Sequence, residues 1–119
     1  MIILGWQQVT KFVKKVWGSE LWLVNTEKYC VKILTLKEGY CCSKHYHKLK
    51  DETFYILEGS VRMEVNDTVK NMIAGESVHI PPNTVHRFIG LKDSKIIEIS
   101  TQHFDEDSYR LTKSGKYEC

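Results

Sequence analysis

GYCCSKHYHKLKDETFYILEG, residues 39–59, carries two histidines one residue apart, a glutamate five positions after the second, and a glycine at each end. It is either half of a metal site or an ordinary hairpin with polar decoration, and the rest of the chain decides between them. On a strand, residues i and i+2 point to one face, about 6.5 Å apart. His45 and His47 can therefore lean over one ion, each nitrogen about 2.0–2.1 Å from it. Glu52 lies an odd number of residues further on, so a single straight strand would put it on the wrong face. The intervening KLKD reads as a turn. If the chain reverses there, Glu52 opens the neighbouring strand and faces the histidine pair. Alternation from Glu52 then places Phe54 and Ile56 inward and Tyr55 and Leu57 on the other side.

A third histidine comes from AGESVHIPPNTVHRFIG, residues 74–90. Pro81 and Pro82 fix φ and cannot donate to a ladder, so the chain turns there. His86 starts the returning strand, with Phe88 on the same side. Three neutral imidazoles and one carboxylate form a borderline ligand set suited to Fe, Mn, Ni, Co or Zn. Such a set leaves coordination positions open, which is more typical of chemistry than of scaffolding.

The surrounding sequence is all β. ELWLV (20–24), YCVKILTL (29–36), TFYIL (53–57), SVRMEV (60–65), SVHI (77–80), VHRFIGL (85–91) and KIIEIS (95–100) are rich in residues that fit a pleated surface. Turn signals separate them, among them KEGY, EGS, VND, AGE and LKDS. Many short strands at roughly even spacing predict a sandwich or barrel. QQVTKFVKKVW near the start is the best helical candidate. The barrel core is expected over about 20–104, after an N-terminal arm, 1–19. The segment 100–111 is expected to cover one end of the barrel or to pack across a partner subunit. A loose polar tail is expected from Thr112 to Cys119. Asp105, Glu106 and Asp107 read as a hydrated surface cluster.

The 119 residues suit one domain, and 42% hydrophobic with 27% charged residues is an ordinary globular balance. A net charge of +2 with scattered lysines argues against a nucleic-acid partner. No stretch approaches a membrane-spanning helix, and the start does not read as a secretory signal. The expected setting is cytoplasmic, with Cys30, Cys41, Cys42 and Cys119 as reduced thiols. A chain this short buries a limited fraction of its surface, which favours a homodimer.

Gly39, five residues, His45, one residue, His47, four residues, Glu52, six residues and Gly59 match the first cupin motif at every fixed position. Gly75, five residues, Pro81 and then His86 resemble the second. Asn83 stands where that family usually has glycine, and asparagine also tolerates left-handed backbone. Gly90 stands where the family pattern often shows asparagine, which is not a ligand position. The resemblance implies a cupin double-stranded β-helix, a jelly-roll barrel. It implies one divalent transition-metal ion held by His45, His47, Glu52 and His86.

KKVWGSELWLV, residues 14–24, resembles the PWG lead-in of phosphomannose-isomerase-type cupins, with valine in place of the proline. This implies a metal-dependent aldose–ketose isomerase acting on a sugar phosphate such as mannose 6-phosphate. An iron-dependent cupin oxygenase and a non-catalytic sugar-binding barrel are the alternatives. Glu98, between isoleucines, is the candidate base, with an outward position at a dimer contact equally open. Lys44, Phe54 and Phe88 are candidate substrate contacts. Arg87 and Lys48 are further phosphate candidates, each weighed against a plain solvated charge. His79 reads as structural and His103 as a surface residue. No glycine-rich phosphate loop is visible.

Overall fold

The computed structural model describes residue 5 and residues 11–117. The strands are β1 (Lys11–Lys15), β2 (Gly18–Asn25), β3 (Cys30–Leu36), β4 (Tyr40–Cys41), β5 (His45–Tyr46), β6 (Glu52–Glu58), β7 (Ser60–Val65), β8 (Thr68–Ile73), β9 (Ser77–Ile80), β10 (His86–Gly90), β11 (Ser94–Ser100), β12 (Tyr109–Arg110) and β13 (Gly115–Lys116). Among the described residues one 3-10 turn, Asp105–Asp107, interrupts them. Among the described residues no helix is long and apolar enough to cross a membrane.

The strands form two antiparallel sheets. One runs β1-β2-β3-β11-β6-β9; the other runs β12-β5-β10-β4-β13, with β7 pairing β10 and β8. This is the expected all-β jelly-roll architecture. Alternation explains what lies between the sheets. Leu34, Leu36, Phe54, Ile56 and Ile96 from the first sheet meet Val61, Met63, Met72 and Phe88 from the second sheet, all buried. Each such side chain contributes about 1.5–3 kcal/mol when taken out of water.

The same inward faces change character along the strands. Ile96 lies opposite Leu34 and Ile56, whereas Glu98 lies opposite Lys32, and Ser100 opposite Glu52. One end of the interior is therefore dry and the other polar. The polar end holds the site.

Two backbone positions fit their residues closely. Asn83 has φ 61°, the left-handed geometry expected there. Gly59 has φ 94°, and a Cβ at that position would overlap the Ser94 hydroxyl and the Asp93 carbonyl.

Three expectations are corrected. The helical candidate near the start is a strand in its described part: β1 lies antiparallel on β2, from Lys11 opposite Trp22 to Lys15 opposite Gly18. Residues 7–10 of that candidate fall outside the described residues. The polar tail is docked, with β13 pairing β4. Its hydroxyls also serve the chain before the histidines: Ser114 Oγ accepts from the Ser43 N–H and Thr112 Oγ1 from the Lys44 N–H. Asp107, expected in a hydrated cluster, is buried.

Candidate metal centre

His45 and His47 leave the short β5, His86 opens β10 directly opposite His45, and Glu52 opens β6 after the chain reverses through 48–51. The structure brings these four side chains together. The three histidines each offer a nitrogen within 4.8 Å of the others. Glu52 Oε2 lies 3.0 Å from His86 Nε2 and 3.4 Å from His47 Nε2.

The hydrogen bonds on the far side of each ring set the chemistry. His45 Nδ1 lies 2.7 Å from the Ser43 carbonyl, His86 Nδ1 2.8 Å from the Thr84 carbonyl, and His47 Nδ1 3.0 Å from the Asp107 carbonyl. A carbonyl can only accept, so Nδ1 donates in all three rings and Nε2 of each neutral ring carries a bare lone pair. Burial, then the neighbouring His86, drives His45 down to about 3. Burial, then Lys50, also lowers His47. Uncharged imidazoles with inward lone pairs are what a metal ion requires.

The carboxylate faces those lone pairs. Both Glu52 oxygens and His86 Nε2 are fully buried without a hydrogen-bond partner. With Nε2 unprotonated, acceptor faces acceptor at 3.0 Å, an arrangement that a cation between the two would relieve. The donor set thus fits one divalent transition ion, which would satisfy all four groups at once.

Asp107 supports the group from behind. Its carboxylate accepts the backbone N–H groups of Lys48 at 2.9 Å, Leu49 at 3.2 Å and Lys50 at 3.1 Å. Its own carbonyl holds His47. One residue thereby fixes both the turn that delivers Glu52 and the tautomer of His47. Asp107→Asn places an amide donor against those N–H groups. It is expected to weaken divalent-metal binding about 10–100-fold and to destabilise the fold by about 1–3 kcal/mol. Chelator competition and denaturant melts measure the two effects. Unchanged metal affinity would separate the turn from the site.

Beside the histidines lies a cavity of about 420 Å³. Phe54, Phe88 and Trp17 form an apolar wall, and Lys32, Lys50, Glu98 and His103 a polar one. Phe54 and Phe88 are therefore where the sequence placed them, while Lys44 does not line the cavity. Its backbone is spent on the C-terminal segment, the carbonyl accepting from Leu111 at 2.7 Å. Arg87 is bound to Glu64 at 2.8 Å, and Lys48 lies over the Tyr109 ring, so neither faces the cavity. His79 is exposed, bonded to Asp51 at 2.6 Å, and does not line the cavity. His103 is not a surface residue: its ring packs edge-on to Trp22 and lines the cavity.

Glu98 points inward and is buried. Burial alone would raise its pKa, but Lys50 and Lys32 outweigh that and hold it at about 2. Lys50 Nζ reaches Glu98 Oε2 at 3.1 Å, His103 Nδ1 at 3.1 Å and Glu52 Oε1 at 3.6 Å. Burial would lower Lys50, and the two carboxylates more than offset it, so its pKa is raised.

Lys32 and Lys50, together with Asp107 and Trp17, are site residues to which the sequence pattern assigned no role. Lys32 shares the inward parity of Leu34 and Leu36, and Lys50 stands two before Glu52. That parity was the available signal.

Residues 32–100, more than half of the chain, match the family model described as the cupin domain. The chain belongs to the cupin family. This cupin is 29% identical over 111 residues to the mannose-1-phosphate guanylyltransferase RfbM of Salmonella typhimurium, an alignment covering 88% of the chain and 23% of that protein. The chain thus spans about a quarter of that relative's length. It is 30% identical over 112 residues to the D-lyxose/D-mannose isomerase of Thermosediminibacter oceani, covering 71% of the chain and 62% of the isomerase. Among solved structures, Pac13 of Streptomyces, a nucleoside dehydratase, superposes with a TM-score of 0.78 at 14% identity, covering 92% of this chain and 93% of that one. At that identity the likeness concerns the fold alone.

Proposed function

We propose that this cupin is a metal-dependent aldose–ketose isomerase acting on a phosphorylated, mannose-type sugar. The observation that carries the reading is the convergence of three Nε2 lone pairs and the Glu52 carboxylate, without a donor among them, beside a cavity that also holds an ionised carboxylate, Glu98. The mannose-related names of the two relatives support the choice of sugar. The lining supports the choice of an anion: five cationic side chains, Lys11, Lys15, Lys32, Lys50 and Arg110, face three carboxylates, Glu20, Glu98 and Asp105.

His45, His47, His86 and Glu52 would hold the ion. A bound divalent cation supplies Lewis acidity, polarising a sugar carbonyl and the neighbouring hydroxyl. Glu98 is the proposed proton carrier. It takes the proton from the carbon beside the aldehyde and returns it to the former aldehyde carbon, while the proton of the neighbouring hydroxyl passes to the former aldehyde oxygen, so no proton is gained or lost overall. The lysines keep Glu98 ionised at neutral pH but also make it a weak base. Its basicity rises when substrate oxygens draw Lys50 away, leaving the carboxylate less compensated. Trp17, Phe54 and Phe88 exclude water from the reacting carbons.

Purified protein loaded with Mn²⁺, Fe²⁺, Co²⁺, Ni²⁺ or Zn²⁺ should interconvert mannose 6-phosphate and fructose 6-phosphate under anaerobic conditions. A chelator should abolish the activity and added metal restore it. Turnover that requires oxygen would overturn the reading in favour of an oxygenase. Sugar binding without product would overturn it in favour of a binding barrel.

A further inference from the structure

Two buried lysines line the cavity, and they are not alike. Lys50 has its ammonium group engaged by Glu98, His103 and Glu52. Lys32 is just as buried, 2% exposed, yet among the described residues its ammonium makes no hydrogen bond. Its neighbours are Glu20 Oε1 at 3.7 Å, Glu98 Oε2 at 3.8 Å and the Trp22 ring at 3.9 Å from the centroid. Both carboxylate oxygens also accept from other donors. Glu20 Oε1 accepts the Trp22 Nε1–H at 2.9 Å, and Glu98 Oε2 accepts from Lys50 at 3.1 Å.

A lysine ammonium is a compact, strongly hydrated charge with three donors. Its stem is buried, but its donors open onto a cavity of about 420 Å³, a size suited to a small ligand, whose acceptors can take the place of water at those donors. Anionic acceptors suit them best. Lys11 Nζ lies 4.3 Å from the centroid of the same indole ring and also lines the cavity, so a second cation stands near the first.

We propose that Lys32 is the anion-recognition residue of this cupin, seating a phosphate monoester of the substrate against the Trp22 wall of the cavity. The proposal deepens the sugar-phosphate reading and rests on it for the class of ligand. Geometry supports a connection to the candidate metal centre. Glu52, Lys50, Glu98, Lys32 and Glu20 form a run of alternating charge from the histidines to the far wall, with successive contacts of 3.6, 3.1, 3.8 and 3.7 Å. A sugar lying along that run places its anionic end at Lys32 and its other end near the histidines.

Inorganic phosphate is the probe, titrated calorimetrically into metal-loaded wild type, Lys32→Met and Lys32→Arg. Methionine matches the length of the lysine stem. Glu98 keeps Lys50, and Glu20 keeps the Trp22 N–H and Lys15 at 3.9 Å, so the variant leaves no carboxylate alone. Wild type should bind phosphate, Lys32→Met should bind it about tenfold to a hundredfold more weakly, and Lys32→Arg should retain most of the affinity. Metal content should be equal in all three. Equal phosphate affinity in wild type and Lys32→Met, or no phosphate binding by wild type, overturns the proposal even if mannose 6-phosphate is isomerised. Phosphate binding through Lys32 without isomerisation upholds the anion site and overturns the isomerase reading instead. If Lys32→Met does not fold, Lys32→Gln, which keeps a polar end and drops the charge, gives the same comparison.

Discussion

A Glu52→Gln variant is expected to melt at a higher temperature than wild type in the presence of chelator and to lose the stabilisation that divalent metal confers. The two effects have one cause. The Glu52 carboxylate lies 3.0 Å from His86 Nε2 and 3.4 Å from His47 Nε2, so with chelator present and these nitrogens unprotonated acceptor would face acceptor. A glutamine of the same shape turns an N–H towards His86 and removes a buried charge. Satisfying an orphaned buried acceptor is worth about 1–3 kcal/mol, which for a domain of this size moves the melting point by several degrees. The same substitution removes an anionic ligand, and divalent-metal affinity should fall by more than about a hundredfold. Metal stabilises only as far as it binds the native state, so the metal-induced rise in melting temperature should disappear. Calorimetric scans with chelator and with Mn²⁺ test both halves. A lower melting point than wild type in chelator would refute the assignment of inward-facing lone pairs.

Replacing Lys50 with methionine should have the largest cost in stability. Its ammonium stands between Glu98 and Glu52, and its removal leaves two buried carboxylates short of a cation. Breaking a buried ion pair from one side costs about 3–5 kcal/mol. The loss should depend on pH in a definite direction. In wild type Glu98 sits at about 2 against an ordinary 4.5. The pair therefore adds stability above pH 4.5 that drains away as the pH falls towards 2. In the variant Lys32, with His103, is left to oppose the burial of Glu98, and the carboxylate moves up. Protonation then relieves the folded state instead of weakening it. The deficit relative to wild type should be largest at neutral pH and shrink on going to pH 4. Denaturant melts in chelator across that range measure it. A deficit independent of pH would mean that Lys50 stabilises by packing alone.

Much of this was legible in the chain because strand alternation is local. SVRMEV and SVHI coincide with β7 and β9 to the residue. The reversal at KLKD, the inward Phe54 and Ile56, the outward Tyr55 and the left-handed Asn83 follow from neighbouring residues and appear as expected. Strand β8 escaped notice because Met72 is its only buried residue, so the pattern carries no alternation. The start read as helical because lysines and hydrophobics are mixed there, and its partner strand decides otherwise.

The histidines, Glu52 and the alternation of the strands around them are properties of the sequence by itself, since spacing alone puts two imidazoles on one face and a carboxylate after the turn. Tertiary structure decided the meaning of the remaining charges. Lys32 and Glu98 share inward parity, but only cross-strand pairing sets them opposite one another, and only the turn through 48–51 brings Lys50 to the same cavity. Asp107 captures amides 57 to 59 residues away. A carboxylate's partners at that separation are fixed by where two chain segments meet in space, and no local pattern encodes that meeting.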